Sequence, residues 1–285
     1  MGDYNIFHHM PWSSAYSIYF FTIGISAALF FMSALSWYRA EFRALRASAF
    51  YLSFVLLAVS GLLLIGDLSK PARFLNTMNP AYLSFSSPLA WGALNLVAFG
   101  AVSVAYFFMM RKENEAMSRK LAVLGSLLAL GLPIYTGFDL TVHQGRPVWN
   151  TPLMPILFVA LSLVSGAAVA SFLAGKQEKL LVMLRQIMLW SGAAVAAMLI
   201  SLLGTTAYGG TGEELTFMFM TSGTLGMIFI GIGILLGTAA PILLLLAPFG
   251  RQQGGVMLAA LLLLVGGMAL RYSILVGGQI VQTYF

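Results

Sequence analysis

Residues 152 to 174 read PLMPILFVALSLVSGAAVASFLA and contain no charged side chain. Wound as a helix rising about 1.5 Å per residue, such a run is long enough to cross the roughly 30 Å hydrocarbon core of a bilayer. Its start is well specified. Thr151-Pro152-Leu153 places a hydroxyl cap before a proline at the first helical turn, and Ser87-Pro88-Leu89 repeats the device earlier in the chain. Working outward, comparable apolar runs cover approximately 15 to 37, 48 to 66, 88 to 110, 121 to 138, 183 to 203, 222 to 248 and 255 to 280. The expected fold is therefore an all-α integral membrane protein, a helical bundle of eight transmembrane helices. Composition points the same way, with 60% hydrophobic residues, 8% charged residues and a mean hydropathy of +0.90. No polar segment is long enough to be a separate soluble domain, so residues 1 to 285 are expected to form a single membrane domain.

Orientation follows from the cationic residues. The loops after the first, third, fifth and seventh spans carry eleven Lys and Arg residues, whereas the opposite loops carry three, Lys70, Arg73 and Arg146. Because cytoplasmic loops accumulate Lys and Arg, both termini are expected to lie outside. The net charge of +6 is mostly this topology signal and calls for no nucleic acid. The opening residues, MGDYNIFHHMPWSS, have no Lys or Arg ahead of the first apolar run, which is unlike a cleaved signal peptide. The first span is expected to remain in the mature protein.

Several cofactors are excluded by residue type. The chain has no cysteine, so it can hold no thiolate-ligated iron–sulfur cluster, no thiolate zinc site and no disulfide. Its three histidines, His8, His9 and His143, all fall outside the spans, which argues against a haem held between helices. No metal ligands are assigned.

The polar residues that remain are concentrated at one end. The stretch YTGFDLTVHQGRPVWNTPL, residues 135 to 153, separates two long apolar runs yet holds a Tyr, an Asp, a His and an Arg. Ionisable groups at membrane depth are costly enough to suggest function. Three qualify: Asp67 and Asp139 at the outward ends of the second and fourth spans, and Arg271 inside the eighth. A buried pair of Arg271 with an aspartate would account for them, and so would proton handling beside a ligand. Tyr135 lies four residues before Asp139, one helical turn deeper on the same face. A phenol above a carboxylate suits hydrogen bonding to a quinone oxygen and passing its proton outward, although an interfacial aromatic would occupy the same place. A weak internal echo links the segments starting at Gly66 and Gly137, which share Asp-Leu, a basic residue with Pro, and Ser/Thr-Pro-Leu.

Three segments carry a resemblance to a known family. GDLSKPARFLNTMNPAYLSFSSPLAWGALNL (66 to 96), YTGFDLTVHQGRPVWNTPLMPILFVALSLVSGAA (135 to 168) and GGMALRYSILVGGQ (266 to 279), in that order, resemble the signature regions of the NrfD/PsrC family. Its members are membrane subunits of nitrite, polysulfide and related respiratory reductases. The resemblance implies eight helices without haem, an exchangeable menaquinone or ubiquinone near the outer surface, and docking to a ferredoxin-like iron–sulfur subunit. That subunit exchanges electrons with a molybdopterin catalytic subunit. Tyr135 matches the family tyrosine that hydrogen-bonds the quinone headgroup, and Asp67 matches the acidic residue of an Asp-Leu-Gly-Arg-Pro-like turn, with Lys70 in the usual Arg place. Tyr19 stands where a characterised member has a histidine, and Ala15 where it has an asparagine. Tyr16, Tyr19 or His9 is therefore expected to supply polarity to the headgroup, while Asp139 replaces a residue that is usually apolar.

The combined expectation is the membrane anchor and quinol-oxidising or quinone-reducing subunit of a molybdopterin/iron–sulfur reductase, in a bacterial or archaeal cytoplasmic membrane. The expected catalytic set is Tyr135, Asp67 and Asp139, and the outward loops with Lys70, Arg73, His143 and Arg146 are expected to meet the partner. The alternatives are a proton- or ion-coupled transporter, which should show broken helices with polar residues near the midplane, and a passive anchor.

Overall fold

A computed structural model describes residues 12–67 and 88–281, and among these residues all regular structure is helical. In chain order come α1 (Ser14–Leu35), a 3₁₀ turn (Ala40–Leu45), α2 (Arg46–Asp67), α3 (Pro88–Arg111), α4 (Glu115–Thr141), α5 (Leu153–Leu173), α6 (Glu178–Ala207) and α7 (Thr211–Thr221). Next are α8 (Gly223–Gly226), a π-helical segment (Met227–Ala239) and α9 (Ala240–Leu246), which run on as one rod. A second 3₁₀ turn (Pro248–Arg251) leads to α10 (Gln253–Ile280).

Eight of these rods are long and apolar enough to span a membrane, as the sequence leads one to expect. They end where the side chains dictate. Ser13 Oγ accepts from the Ala15 amide at 3.2 Å to start α1, and Asn114 Oδ1 accepts from the Met117 amide at 3.1 Å to start α4. The fifth span departs slightly from expectation: Pro152 is the cap residue and the helix starts at Leu153, whose amide reaches Thr151 Oγ1 at 3.4 Å. Gly175 turns the chain from α5 to α6 at φ +59°, a left-handed conformation that glycine adopts without penalty. The short α7 went unanticipated, because eleven residues opening with Thr211, Gly212, Glu213 and Glu214 read as loop.

Three spans form the centre. The most apolar windows of α1, α5 and α10 are 72%, 67% and 61% buried, against 28% to 39% for the other five. Small residues allow this. Gly166 of α5 faces Ala28 of α1 so closely that a Cβ there would lie 2.2 Å from the Ala28 Cβ. Gly237 and Gly266 bring the seventh span and α10 into backbone contact in the same way, since a Cβ on either would overlap the other's Cα. Apolar side chains gain little by leaving lipid, so such close packing and interhelical hydrogen bonds take over the task of association. Ser26 and Ser53 hydroxyls each donate to the other residue's carbonyl, at 2.8 and 2.7 Å, locking α1 to α2. Asn95 Nδ2 donates to the Leu128 carbonyl at 3.0 Å and ties α3 to α4.

An even number of spans puts both ends of the described chain at one face. Gln279 Nε2, at the close of α10, donates to the carbonyl of Trp12, just before α1, at 3.3 Å. The stretch between α4 and α5 lies at that same end.

Candidate functional site

The polar stretch between α4 and α5 folds back onto the bundle. Arg146 is only 3% exposed and its Nη1 donates to the Gln279 carbonyl at 2.6 Å and the Val281 carbonyl at 3.3 Å. A helix ends with unpaired carbonyls and partial negative charge, which a guanidinium satisfies. Trp149 is completely buried, its Nε1 donates to the Ile274 carbonyl at 2.8 Å, and its ring lies on Gly278, where a Cβ would come within 2.0 Å of Nε1. Trp12 stacks on Trp149 with centroids 5.2 Å apart, and His143 meets both rings edge-on at 5.3 and 5.5 Å. Burial pushes the His143 pKa below the usual 6.5, and Arg146 pushes the same way, against hydrogen bonding to the backbone of Leu140 and Asp139. Expecting Arg146 to reach out to a partner protein is thus wrong, because helix α10 consumes the charge. Half-buried His143 is also held inside the aromatic cluster rather than presented from it.

Inward of this plug lies the group of candidate residues. Tyr16 stacks flat on Trp12, centroids 5.1 Å apart, and meets Tyr19 edge-on at 5.7 Å. One helix away, Tyr135 and Asp139 occupy successive turns of α4. Asp139 acts electrostatically on both Tyr19 and Tyr135, and Tyr16 acts on the same two tyrosines, so the four side chains share one end of the bundle. Tyr19 and Asp139 are buried, at 2% and 7% exposure, and Tyr135 is half-buried. Neither the Tyr19 and Tyr135 hydroxyls nor the carboxylate makes a hydrogen bond or ion pair among the described residues. None of the three is among the fully buried unsatisfied side-chain atoms, so their polar atoms keep some access and are open to a further partner. The Tyr135 ring is fixed by Gly92 of α3, where a Cβ would fall 2.1 Å from Tyr135 Cε2 and Cζ. An apolar groove of about 320 Å³, lined by Ala15, Val59, Leu62, Leu63 and Gly66, lies between the ends of α1 and α2, and its Ala15 is one helical turn from Tyr19.

Other candidates fare differently. The backbone of Asp67 closes α2, but its side chain, together with His8, His9, Lys70 and Arg73, lies outside the described residues. Of the two aspartates considered as partners of Arg271, Asp139 forms no ion pair with it. Arg271 is fully buried; its Nη2 donates to Ser162 Oγ of α5 at 3.4 Å and its Nη1 to the Gly267 carbonyl of its own helix at 3.0 Å. The rings of Phe21 and Phe158 lie 5.4 and 6.0 Å from its Cζ, and Nε has no partner among the described residues. The two glycines Gly24 and Gly267 leave room for it. Sequence reasoning missed Trp12, Trp149 and Gly92. Nothing short of the folded contact shows that a glycine must sit under a ring on another helix, although two tryptophans beside the outward polar residues were a visible sign of an interfacial cluster.

A polytopic bundle of eight helices, with no group of three metal-ligating side chains among the described residues and a cluster of unpartnered polar groups set into one end, is the class defined here. Comparison with known proteins makes it specific. Residues 4–282 match the family described as "Polysulphide reductase, NrfD", and the chain belongs to that family. It is 27% identical over 315 residues to a polysulfide reductase chain of Wolinella succinogenes, covering 98% of this chain and 97% of that one. A tetrathionate reductase subunit of Salmonella typhimurium is 28% identical over 52% of this chain and 44% of its own length. Protein NrfD of Escherichia coli is 27% identical over 58% of this chain and 59% of its own.

Proposed function

We propose that this chain is the membrane anchor and quinone-reactive subunit of a respiratory reductase, with its site at Tyr19, Tyr135 and Asp139. The observation that carries the reading is the grouping of two phenols and a carboxylate, unpartnered among the described residues, in a member of the NrfD family. Names of the relatives, which belong to polysulfide and tetrathionate reductases, support placement in a multi-subunit complex. Its partners in this reading are a ferredoxin-like iron–sulfur subunit at the face bearing both termini, and a molybdopterin subunit beyond it. The excess of cations in the opposite loops supports reading that face as extracytoplasmic.

A quinol, when bound, supplies two electrons to the partner and releases two protons. The chain's own residues orient it and receive protons. Tyr135 Oη hydrogen-bonds one headgroup oxygen, and the Tyr19 hydroxyl offers a second contact. Asp139, one turn nearer the surface, accepts a proton and passes it outward. Trp12, Tyr16 and Trp149 close the top of the site with rings rather than water. The groove between α1 and α2 gives an isoprenoid substrate a lateral way in from lipid.

The test is purification from the native membrane. Co-purification with an iron–sulfur subunit, and quinol-driven reduction of an added acceptor by that complex, are expected. A chain that purifies alone and binds no quinone analogue contradicts the proposal.

A further inference from the structure

The end of the bundle remote from the tyrosines has a feature that the quinone reading leaves unused. Between the start of α6 and the start of α10 lies a crevice of about 660 Å³. Lys176, Arg185 and Arg251 line it, against a single carboxylate, Glu178. Arg185 is held in place, since Nε donates to the Leu245 carbonyl at 3.0 Å and Nη2 donates to the same oxygen. Lys176 and Arg251 are exposed and make no ion pair among the described residues, not even with Glu178.

Two further properties narrow the chemistry. The first turns of α6 and α10, helices of 30 and 28 residues, both border the crevice, and neither Gln177 nor Gln252 caps its helix with a side chain. Their unpaired amides and positive helix ends add to the three cations, as at other anion-binding helix starts. The lining also includes the apolar side chains Leu181, Val182 and Val256, and Val182 is 51% exposed. A free anion would have no use for those side chains, whereas a lipid needs both parts. Basic pockets between helices at the cytoplasmic interface suit anionic headgroups.

We propose that this crevice binds the headgroup of an anionic phospholipid, with the phosphates held by Lys176, Arg185 and Arg251 and the acyl chains running along Val182. The proposal stands apart from the reading of the opposite end and does not depend on it. The probe is fluorescent diphosphatidylglycerol titrated against the full chain, or its complex, in detergent micelles. Lys176→Gln with Arg251→Gln removes two exposed cations and spares Arg185, whose bonds to Leu245 are structural. Lys112→Gln with Lys120→Gln removes two exposed cations from the same side that do not line the crevice. The first pair is expected to weaken binding roughly 30-fold, at about one step of contact energy per cation, and the second by less than about twofold. Phosphatidylcholine and inorganic pyrophosphate should not displace the probe. If the double variant does not fold, Arg251→Gln alone is expected to weaken binding about fivefold. Equal losses in the two pairs, displacement by pyrophosphate, or binding no tighter than phosphatidylcholine would each overturn the site.

Discussion

Arg146 Nη1 lies 2.6 Å from the carbonyl oxygen of Gln279, so the loop joining the fourth and fifth spans is fastened to the last turn of the eighth. This contact explains much of the polarity in residues 135 to 153. The loop closes the bundle over the tyrosine cluster by giving its charge to the end of α10.

Removing that clasp should loosen the whole end. Arg146→Ala leaves carbonyls of α10 unpaired, and hydrogen bonds from a charged donor contribute about 1.5 to 3 kcal/mol. A fall of several degrees in thermal midpoint is expected in a melt followed by tryptophan fluorescence, with Arg146→Lys intermediate. An unchanged midpoint would place Arg146 in docking rather than closure.

The same closure should depend on pH. His143 has a folded-state pKa below the usual 6.5, because burial disfavours its charged form. The unfolded loop therefore binds more protons than the folded one as pH falls below about 6.5, and stability is lost as pH drops through the folded pKa. Tryptophan emission from Trp12 and Trp149 should shift on acidification, reversibly, and His143→Phe should abolish the shift. A shift that survives in His143→Phe would assign the effect elsewhere.

Arg271 and Asp139 should behave as strangers. Breaking a buried ion pair costs about 3 to 5 kcal/mol, and a second neutralisation then restores part of it. No such pair is present, so Arg271→Met and Asp139→Asn should show a coupling energy below about 0.5 kcal/mol in a double-mutant stability cycle. Strong coupling would mean that the two side chains meet after all.

How far the sequence reaches can be judged from these residues. Apolar run length was enough to place all eight spans, because a bilayer imposes a minimum length and forbids unpaired backbone whatever the helices pack against. Tyr135 and Asp139 could be paired because they share one helix face. Their joining to Tyr16 and Tyr19 came from resemblance, since residues on two different helices share no spacing in the sequence. The direction of Arg271 could not be read, since depth along a helix says nothing of rotation about its axis. Arg146 was misread for a related reason: a loop cation looks alike whether it faces a partner or the carbonyls of a distant helix end.

Gly92 gives a test of the site that leaves every polar group in place. A methyl there would overlap the Tyr135 ring, so Gly92→Ala should turn the phenol away while the complex still assembles. Quinol turnover is expected to drop at least about fivefold with the KM for quinol raised, since one misplaced hydrogen bond near a charged oxygen has that effect. Normal kinetics would show that the ring orientation does not matter.

Contact between Tyr135 and the quinone is tested most directly by Tyr135→Phe. The substitution removes one hydroxyl and keeps the ring against Gly92, so assembly should be unaffected. In the purified complex, quinol-driven turnover and turnover driven by an artificial dye that reduces the iron–sulfur partner are measured side by side. The quinol rate is expected to fall at least about fivefold while the dye rate is unchanged. Equal loss of both rates, or loss of neither, would contradict a quinone contact and make Tyr135 a packing residue.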